Sequence, residues 1–281
     1  MKTTQKTAIA QSLRDYCTLQ GSQNKAALVL NISPATISHI LAGQFDDVSD
    51  EMFRTIAAAV GHDPTQWNVA PTHTFQRLHF LLSNAQSDSL TLAVTGPAGS
   101  GKTETIRTYA ATHPRVYHLV CSEYWSRRIF IQHLIRAIGV RQPASTAEQM
   151  EAIIRRLHAL DHPIIILDEA DKLSDQVLHF FISLYNHLEG HCALILCATD
   201  HLRLRILRGL RLGKRGYEEI YSRVGRRFIE LLPVTAEDIT LVCRANHLTD
   251  PDDINAVTDD SEADLRRVRR AVWARRHRRQ S

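Results

Sequence analysis

Hydrophobic and polar residues follow two different patterns along this chain. Between residues 5 and 60, apolar residues recur every three or four positions, which is the period of short amphipathic helices. Residues 62–74, HDPTQWNVAPTHT, lose this period and contain two prolines, so we predict a linker there. The pattern therefore predicts a small all-α domain over residues 1–61 and a separate domain after the linker.

From Phe75 onward, short and almost continuous apolar runs alternate with helical stretches. Such runs are typical of a parallel sheet that helices cover on both faces. We predict an α/β domain over residues 75–232 and a helical lid with a basic C-terminal tail over residues 233–281. The predicted strands are LTLAVTG (90–96), RVYHLVC (115–121), PIIILDE (163–169), ALILCATD (193–200) and RRFIELL (226–232).

Within the first domain, Ser22 and Ser33 precede predicted helices and are expected to cap them, with Pro34 at the first helical position. Asn31 falls between these helices, where a left-handed backbone is needed. The stretch GSQNKAALVLNISPATISHILAG, residues 21–43, resembles the helix-turn-helix of phage repressors. That resemblance implies a DNA-binding fold.

Residues 31–43 nevertheless contain few side chains that read bases. Recognition helices discriminate bases with Arg, Asn, Gln or Lys, whereas this segment offers Thr36, Ser38 and His39. Lys25 is the only basic residue between positions 21 and 44. We expect weak, largely sequence-independent DNA contacts from these three residues, or a protein-docking role for the domain.

GPAGSGKT, residues 96–103, lies between an apolar strand and a predicted helix, as the phosphate-binding loop G-x-x-x-x-G-K-[ST] requires. In such a loop the backbone amides and the helix N-terminus bind phosphate. Lys102 is predicted to bind the β- and γ-phosphates, and the Thr103 hydroxyl to bind Mg²⁺. The predicted ATP-binding residues are Gly96, Pro97, Ala98, Gly99, Ser100, Gly101, Lys102, Thr103 and Glu104.

The second motif is IIILDEAD, residues 164–171, in which carboxylates follow four apolar residues. Asp168 stands at the end of the predicted strand, where it would bind Mg²⁺ beside the phosphate loop. Glu169 is suited to polarise the attacking water. We expect Asp171 to cap the helix that begins near Lys172. Together the two motifs predict a nucleotide-hydrolysing core.

These motifs, with LILCATD, YSRVGRRF and ADLRR further along, resemble those of AAA+ ATPases over residues 75–281. The resemblance implies that Thr199 is the sensor-1 residue, although Asn is more common there, and that Arg266 is the sensor-2 arginine. It also implies that Arg223 is an arginine finger, with Arg226 and Arg227 as alternatives. Because such a finger acts on a neighbouring subunit's nucleotide, a homo-oligomer is expected.

The net charge of +4 is concentrated in two regions. Residues 201–227 carry +7 and residues 261–281 carry +6, so the remaining residues are net acidic. Clustered arginines favour a polyanionic partner, because they release counterions from phosphates. By the resemblance to AAA+ ATPases, the segments that carry Arg127, Arg128 and Lys172 are expected to face the central channel of the oligomer and to contact DNA there.

A small helix-turn-helix before an AAA+ core resembles the transposition ATPases of the phage Mu target-activator type (MuB, TnsC and IstB). The resemblance implies an ATPase that forms a helical filament or ring on duplex DNA, recruits and stimulates a transposase, and leaves DNA after ATP hydrolysis. The alternative is a helicase loader or replication initiator, which shares the core. The chain leaves little room for a separate C-terminal transposase-binding domain.

Location is predicted from two absences in the sequence. No apolar run approaches the 18–20 residues of a membrane span, and the N-terminus lacks the apolar core of a secretion signal. The five cysteines form no CxxC pair and are expected to be buried and reduced. These observations favour a protein of the cytoplasm, in a bacterial host cell, without a membrane partner.

Overall fold

A computed structural model describes residues 1, 3–60, 67–141 and 145–278, and it divides the chain into two units, Met1–Asn68 and Val69–Ser281. The predicted linker lies partly outside the described residues, and its last two residues already belong to a helix. The described helices of the first unit are α1 (Thr3–Leu19), α2 (Gln23–Leu30), α3 (Pro34–Leu41) and α4 (Asp50–Ala59).

The first unit's helices begin where their capping residues lie. The side chain of Ser22 accepts a hydrogen bond from the Lys25 amide, and that of Ser33 accepts one from the Thr36 amide, which confirms both predicted caps. Asn31 adopts the left-handed conformation (φ 53°) between α2 and α3. The apolar faces of the helices meet in a core that includes Leu13, Ile37, Ile40, Phe53 and Ile56.

The second unit contains a five-stranded sheet in the order β2-β3-β4-β1-β5, in which neighbouring strands are parallel. All five predicted strands are present, each shorter than the apolar run that predicted it. The strands are β1 (Thr91–Thr95), β2 (Val116–Val120), β3 (Ile164–Asp168), β4 (Ala193–Ala198) and β5 (Phe228–Glu230).

Helices cover both faces of this sheet, as predicted. One core contains Phe130, Ile165 and Leu196, and the other contains Leu82, Ile106 and Ile195. Because helices pack on each face, every residue of β4 is buried. The helices are α5 (His73–Asp88), α6 (Lys102–Thr112), α7 (Arg127–Ile138), α8 (Thr146–His158), a 3₁₀ turn (Ala170–Lys172), α9 (Asp175–Leu188), α10 (Asp200–Arg211) and α11 (Tyr217–Arg223).

The lid consists of α12 (Ala236–Ala245), α13 (Pro251–Ser261) and α14 (Leu265–Arg278). The buried carboxylate of Asp238 accepts hydrogen bonds from the amides of His73, at the start of α5, and Thr235, before α12. Burial alone would raise the pKa of Asp238, but these hydrogen bonds outweigh it and hold the pKa below its usual value. Asp238 therefore ties the lid to the α/β core as an anion.

All five cysteines are free and buried, as expected, and burial raises the pKa of each of their thiols. No helix in the described part of the chain combines the length and the hydrophobicity that crossing a bilayer requires.

Candidate nucleotide site

The phosphate-binding loop joins β1 to α6, and Gly101 (φ +91°) precedes the first residue of that helix. Lys102 is 9% exposed, and its ammonium donates to the carbonyls of Gly96 (2.8 Å) and Pro97 (2.7 Å). Burial lowers the pKa of Lys102; the charges of Asp168 and Asp171 partly oppose this decrease. The ammonium therefore lies at the centre of the loop, close to the carboxylates that follow β3.

Asp168 ends β3, as predicted, and is only 1% exposed. Its Oδ1 accepts a hydrogen bond from the Glu169 amide (2.9 Å), and its Oδ2 lies 3.3 Å from Nε2 of His118 on β2. His118 was missed in the sequence, because a single histidine inside a strand has no motif that marks it. Only the pairing of β2 with β3 brings this imidazole to the carboxylate.

Glu169 is the N-cap residue of the 3₁₀ turn and has a left-handed conformation (φ 55°). Its Oε2 accepts a hydrogen bond from the Lys172 ammonium at 2.5 Å, within the same turn. This hydrogen bond raises the pKa of Lys172. The predicted catalytic glutamate and a predicted DNA contact are therefore partners of each other.

Asp171 does not cap a helix, so that prediction is wrong. It lies inside the 3₁₀ turn, and α9 begins only at Asp175, after Ser174. The Asp171 carboxylate instead accepts a hydrogen bond at 2.5 Å from the hydroxyl of Thr199, which follows β4. Because β4 lies between β1 and β3 in the sheet, this hydrogen bond holds the predicted sensor residue between the phosphate loop and Asp168.

One arginine of the basic region 201–227 has a structural role that the charge count did not indicate. The guanidinium of Arg205 donates to the carbonyls of Leu173 (2.6 Å) and Asp171 (3.3 Å) and to the Tyr217 hydroxyl (3.2 Å). It also pairs with the carboxylate of Asp175. Arg205 therefore supports the 3₁₀ turn that carries Glu169, and it is not an exposed contact for a polyanion.

The start of α14 packs directly on the phosphate loop. The amide of Leu265 donates to the carbonyl of Gly99 (2.9 Å), and the Asp264 carboxylate lies against the Gly99 Cα. The charge of Arg266 contributes to the lowered pKa of Lys102, after the larger effect of burial. Because Arg266 directly follows Leu265, the predicted sensor-2 arginine lies where α14 contacts the phosphate loop.

The three candidates for the arginine finger differ in their surroundings. The guanidinium of Arg223 donates to Oδ1 of Asn186 through Nη2 (2.9 Å) and Nε (3.1 Å), and lies over the ring of Tyr185. Arg226 and Arg227 are exposed. Reaching a neighbouring subunit would cost Arg223 these contacts.

The predicted DNA contacts lie in both units. Arg127 and Arg128 are exposed in the first turn of α7. The pKa of Lys172 is raised mainly by the hydrogen bond that it donates to Glu169, and to a smaller extent by the charge of Glu123 in the loop before α7. Both segments follow neighbouring strands, so they meet at one edge of the sheet. In the first unit Ser38 and His39 are exposed, whereas the Thr36 hydroxyl is hydrogen-bonded to that of Ser33 (2.8 Å).

The oxygen atoms of Asp168 and Thr103 fit Mg²⁺, which prefers hard oxygen ligands. The described residues contain no cluster of three or more His, Cys, Asp and Glu that could hold a metal ion. A site with one carboxylate and one hydroxyl agrees with the usual binding of Mg²⁺, which retains waters and takes its other ligands from nucleotide phosphates.

Comparison with known proteins finds a similarity over the segment that carries this site. Residues 83–206, which include both GPAGSGKT and IIILDEAD, match the family model described as AAA domain. No curated protein matches the chain. The segment that carries the candidate site is therefore similar to an AAA domain over 124 of its residues.

Solved structures that resemble the chain include NtrX from Brucella abortus in complex with ATP, at 15% identity and a TM-score of 0.47. NtrX in complex with ADP is similar, at 14% identity and the same TM-score. Each match covers 86% of this chain and 58% of the NtrX chain. The chain therefore spans less than two thirds of the length of these proteins.

Proposed function

We propose that this chain is a DNA-binding ATPase of the transposition type. It oligomerises on duplex target DNA, recruits and stimulates a transposase, and is released when ATP is hydrolysed. The observation that carries the proposal is the hydrogen bond between Glu169 and Lys172, because it joins the residue proposed for hydrolysis to one proposed for DNA binding.

The nucleotide chemistry follows from the arrangement around Lys102. The loop amides and Lys102 bind the phosphates, and Thr103 and Asp168 are the residues that would hold Mg²⁺, which neutralises phosphate charge when bound. Glu169 accepts a proton from the water that attacks the γ-phosphorus, while the bond to the leaving ADP oxygen breaks. Thr199, held by Asp171, contacts the γ-phosphate side of the site.

Two arginines complete the site in this proposal. Arg266 approaches from the lid of the same subunit, which its effect on the pKa of Lys102 supports. Arg226 or Arg227 approaches from a neighbouring subunit; the exposure of both favours them over Arg223, whose guanidinium donates hydrogen bonds to Asn186. Hydrolysis then depends on assembly, because a single subunit lacks the second arginine.

DNA binding is assigned mainly to the edge of the sheet formed by Arg127, Arg128 and Lys172. All three are charged side chains suited to phosphate contacts, so binding is expected to be largely independent of sequence. For the first unit we favour a docking role, because α2 exposes two apolar side chains, Leu28 (82%) and Val29 (62%).

Replacing Glu169 with Gln tests the proposed chemistry. The amide cannot accept the proton, so hydrolysis should fall at least about 100-fold while ATP binding is retained. Glu151→Gln, at an exposed position on α8, is the matched control and should hydrolyse ATP normally. Full turnover by the Glu169→Gln variant would refute the assignment.

Electron microscopy with duplex DNA and a slowly hydrolysed ATP analogue tests the assembly. A continuous helix on duplex DNA supports the transposition role. A closed ring, or a preference for single strands, supports a helicase loader or replication initiator instead.

The Arg127→Ala/Arg128→Ala variant should bind DNA more weakly, with a smaller salt dependence of the affinity.

A further inference from the structure

We propose that His118 is a positioning residue that orients the carboxylate of Asp168 toward a nucleotide-bound metal ion. This inference rests on the proposed function, because it takes Asp168 as a ligand of Mg²⁺. It goes beyond that function because His118 belongs to neither sequence motif and lies on a different strand.

Strand register brings the two side chains together. In the parallel pair of β2 and β3, His118 is opposite Ile166 and Val120 is opposite Asp168. Side chains two residues apart on a strand lie on the same face of a sheet, so His118 and Asp168 are diagonal neighbours on one face. Their separation, 3.3 Å between Nε2 and Oδ2, is that of a long hydrogen bond.

The carboxylate can only accept in this pair, so the imidazole donates through Nε2. Asp168 then receives one donor on each oxygen, from the Glu169 amide on Oδ1 and from His118 on Oδ2. Each oxygen retains a lone pair for a metal ion, while two donors, one on β2 and one just after β3, restrict rotation of the carboxylate. Since Asp168 is 1% exposed, bulk water cannot easily replace a missing donor.

Loss of the imidazole donor would leave Oδ2 buried without a partner. The carboxylate would then be free to turn toward the Lys102 ammonium. The charge of Asp168 already raises the pKa of Lys102, against the larger lowering by burial. A ligand that turns away from the metal loses the metal-dependent part of nucleotide affinity. Groups that orient metal ligands in this way are commonly worth 10–100-fold in metal affinity.

Three substitutions separate positioning from simple space filling. His118→Gln places an amide nitrogen at nearly the same reach as Nε2 and retains the donor. His118→Asn carries its amide nitrogen closer to the backbone, so it cannot reach Oδ2. His118→Leu keeps similar volume and has no donor. Comparison of Gln with Asn remains informative if the Leu variant fails to fold.

The measurement is the affinity for a fluorescent ATP analogue in Mg²⁺ and again in EDTA, together with the thermal midpoint of each variant. We expect His118→Leu and His118→Asn to lose about tenfold or more of the affinity gain that Mg²⁺ provides, with affinity in EDTA unchanged. His118→Gln should recover most of that gain. None of these readouts requires turnover.

Equal losses with and without Mg²⁺, or failure of His118→Gln to recover, would overturn the positioning role and leave a structural one. Unchanged Mg²⁺ dependence in His118→Leu would overturn it as well. If the unaltered protein binds the analogue equally well in Mg²⁺ and EDTA, it is the proposed nucleotide chemistry that fails. The two failures are therefore distinguishable.

Discussion

Gly99→Ala tests the contact between the lid and the phosphate loop most directly. Gly99 has φ +72°, and a methyl group there would lie within 3.0 Å of the Asp264 carboxylate. Gly139, after α7, has the same φ, and a methyl group there would meet nothing within 4 Å. Alanine at the two positions therefore introduces the same backbone strain, and only Gly99→Ala adds a collision.

The expected magnitudes follow from this difference. A left-handed backbone at a residue other than glycine costs about 1–2 kcal/mol, so Gly139→Ala should destabilise the protein by roughly that amount. At Gly99 the collision adds about 1–3 kcal/mol, because the short Asp264 side chain cannot move without shifting the start of α14. The additional cost should displace the lid from the loop.

Hydrogen exchange measures that displacement, because the Leu265 amide donates to the Gly99 carbonyl. In Gly99→Ala, exchange of this amide should be about 5- to 150-fold faster than in Gly139→Ala, the ratio that corresponds to 1–3 kcal/mol.

Asp264→Ser should relieve the collision in the double variant, because serine is shorter and still caps a helix. The exchange rate of the Gly99→Ala/Asp264→Ser variant should approach that of Asp264→Ser alone. Equal exchange in Gly99→Ala and Gly139→Ala, or no relief in the double variant, would refute the reasoning.

Three further predictions concern single side chains. Asp238→Ala should destabilise the protein by about 2–4 kcal/mol in urea unfolding, because it leaves the amides of His73 and Thr235 without their charged acceptor. As the folded pKa of Asp238 is lowered, its contribution is complete above the unfolded pKa and is lost as the pH falls through the folded value; the variant should lack this acid dependence. Lys102→Ala should weaken ATP binding at least about tenfold in equilibrium titration, because it removes charged hydrogen bonds to phosphate; Lys25→Ala, in the first unit, should not. Lys172→Ala should raise basal hydrolysis by up to about fivefold, because the half-exposed ion pair that it removes from Glu169 is worth at most about 1 kcal/mol. The same variant should show less stimulation of hydrolysis by DNA. An unchanged or lower basal rate would contradict this prediction.

Local sequence was sufficient to predict the strands, the helix caps and the phosphate loop. A continuous apolar run such as IIIL favours a strand that is buried on both faces, and Ser33 caps its helix through an amide three residues away. GPAGSGKT similarly requires only the strand before it and the helix after it. Each of these interactions spans a few residues, so their spacing in the sequence determines them.

Contacts between distant segments could not be predicted in the same way. Asp171 was assigned to a helix cap, but it accepts from Thr199, 28 positions later. Arg205 was counted as a charge for a polyanion, but it supports the turn that carries Glu169 through the carbonyls of Asp171 and Leu173. Charge and spacing do not reveal which exposed or buried position a side chain will occupy.

The motifs alone identify the groups proposed to act on ATP: the loop amides, Lys102, Asp168 and Glu169. The Lys172 partner of Glu169 is also local, since it lies three residues away within one turn. His118 on Asp168 and the start of α14 on Gly99 come only from the folded chain. Strand register sets the first of these contacts and lid packing sets the second, and both join segments that are far apart in the sequence.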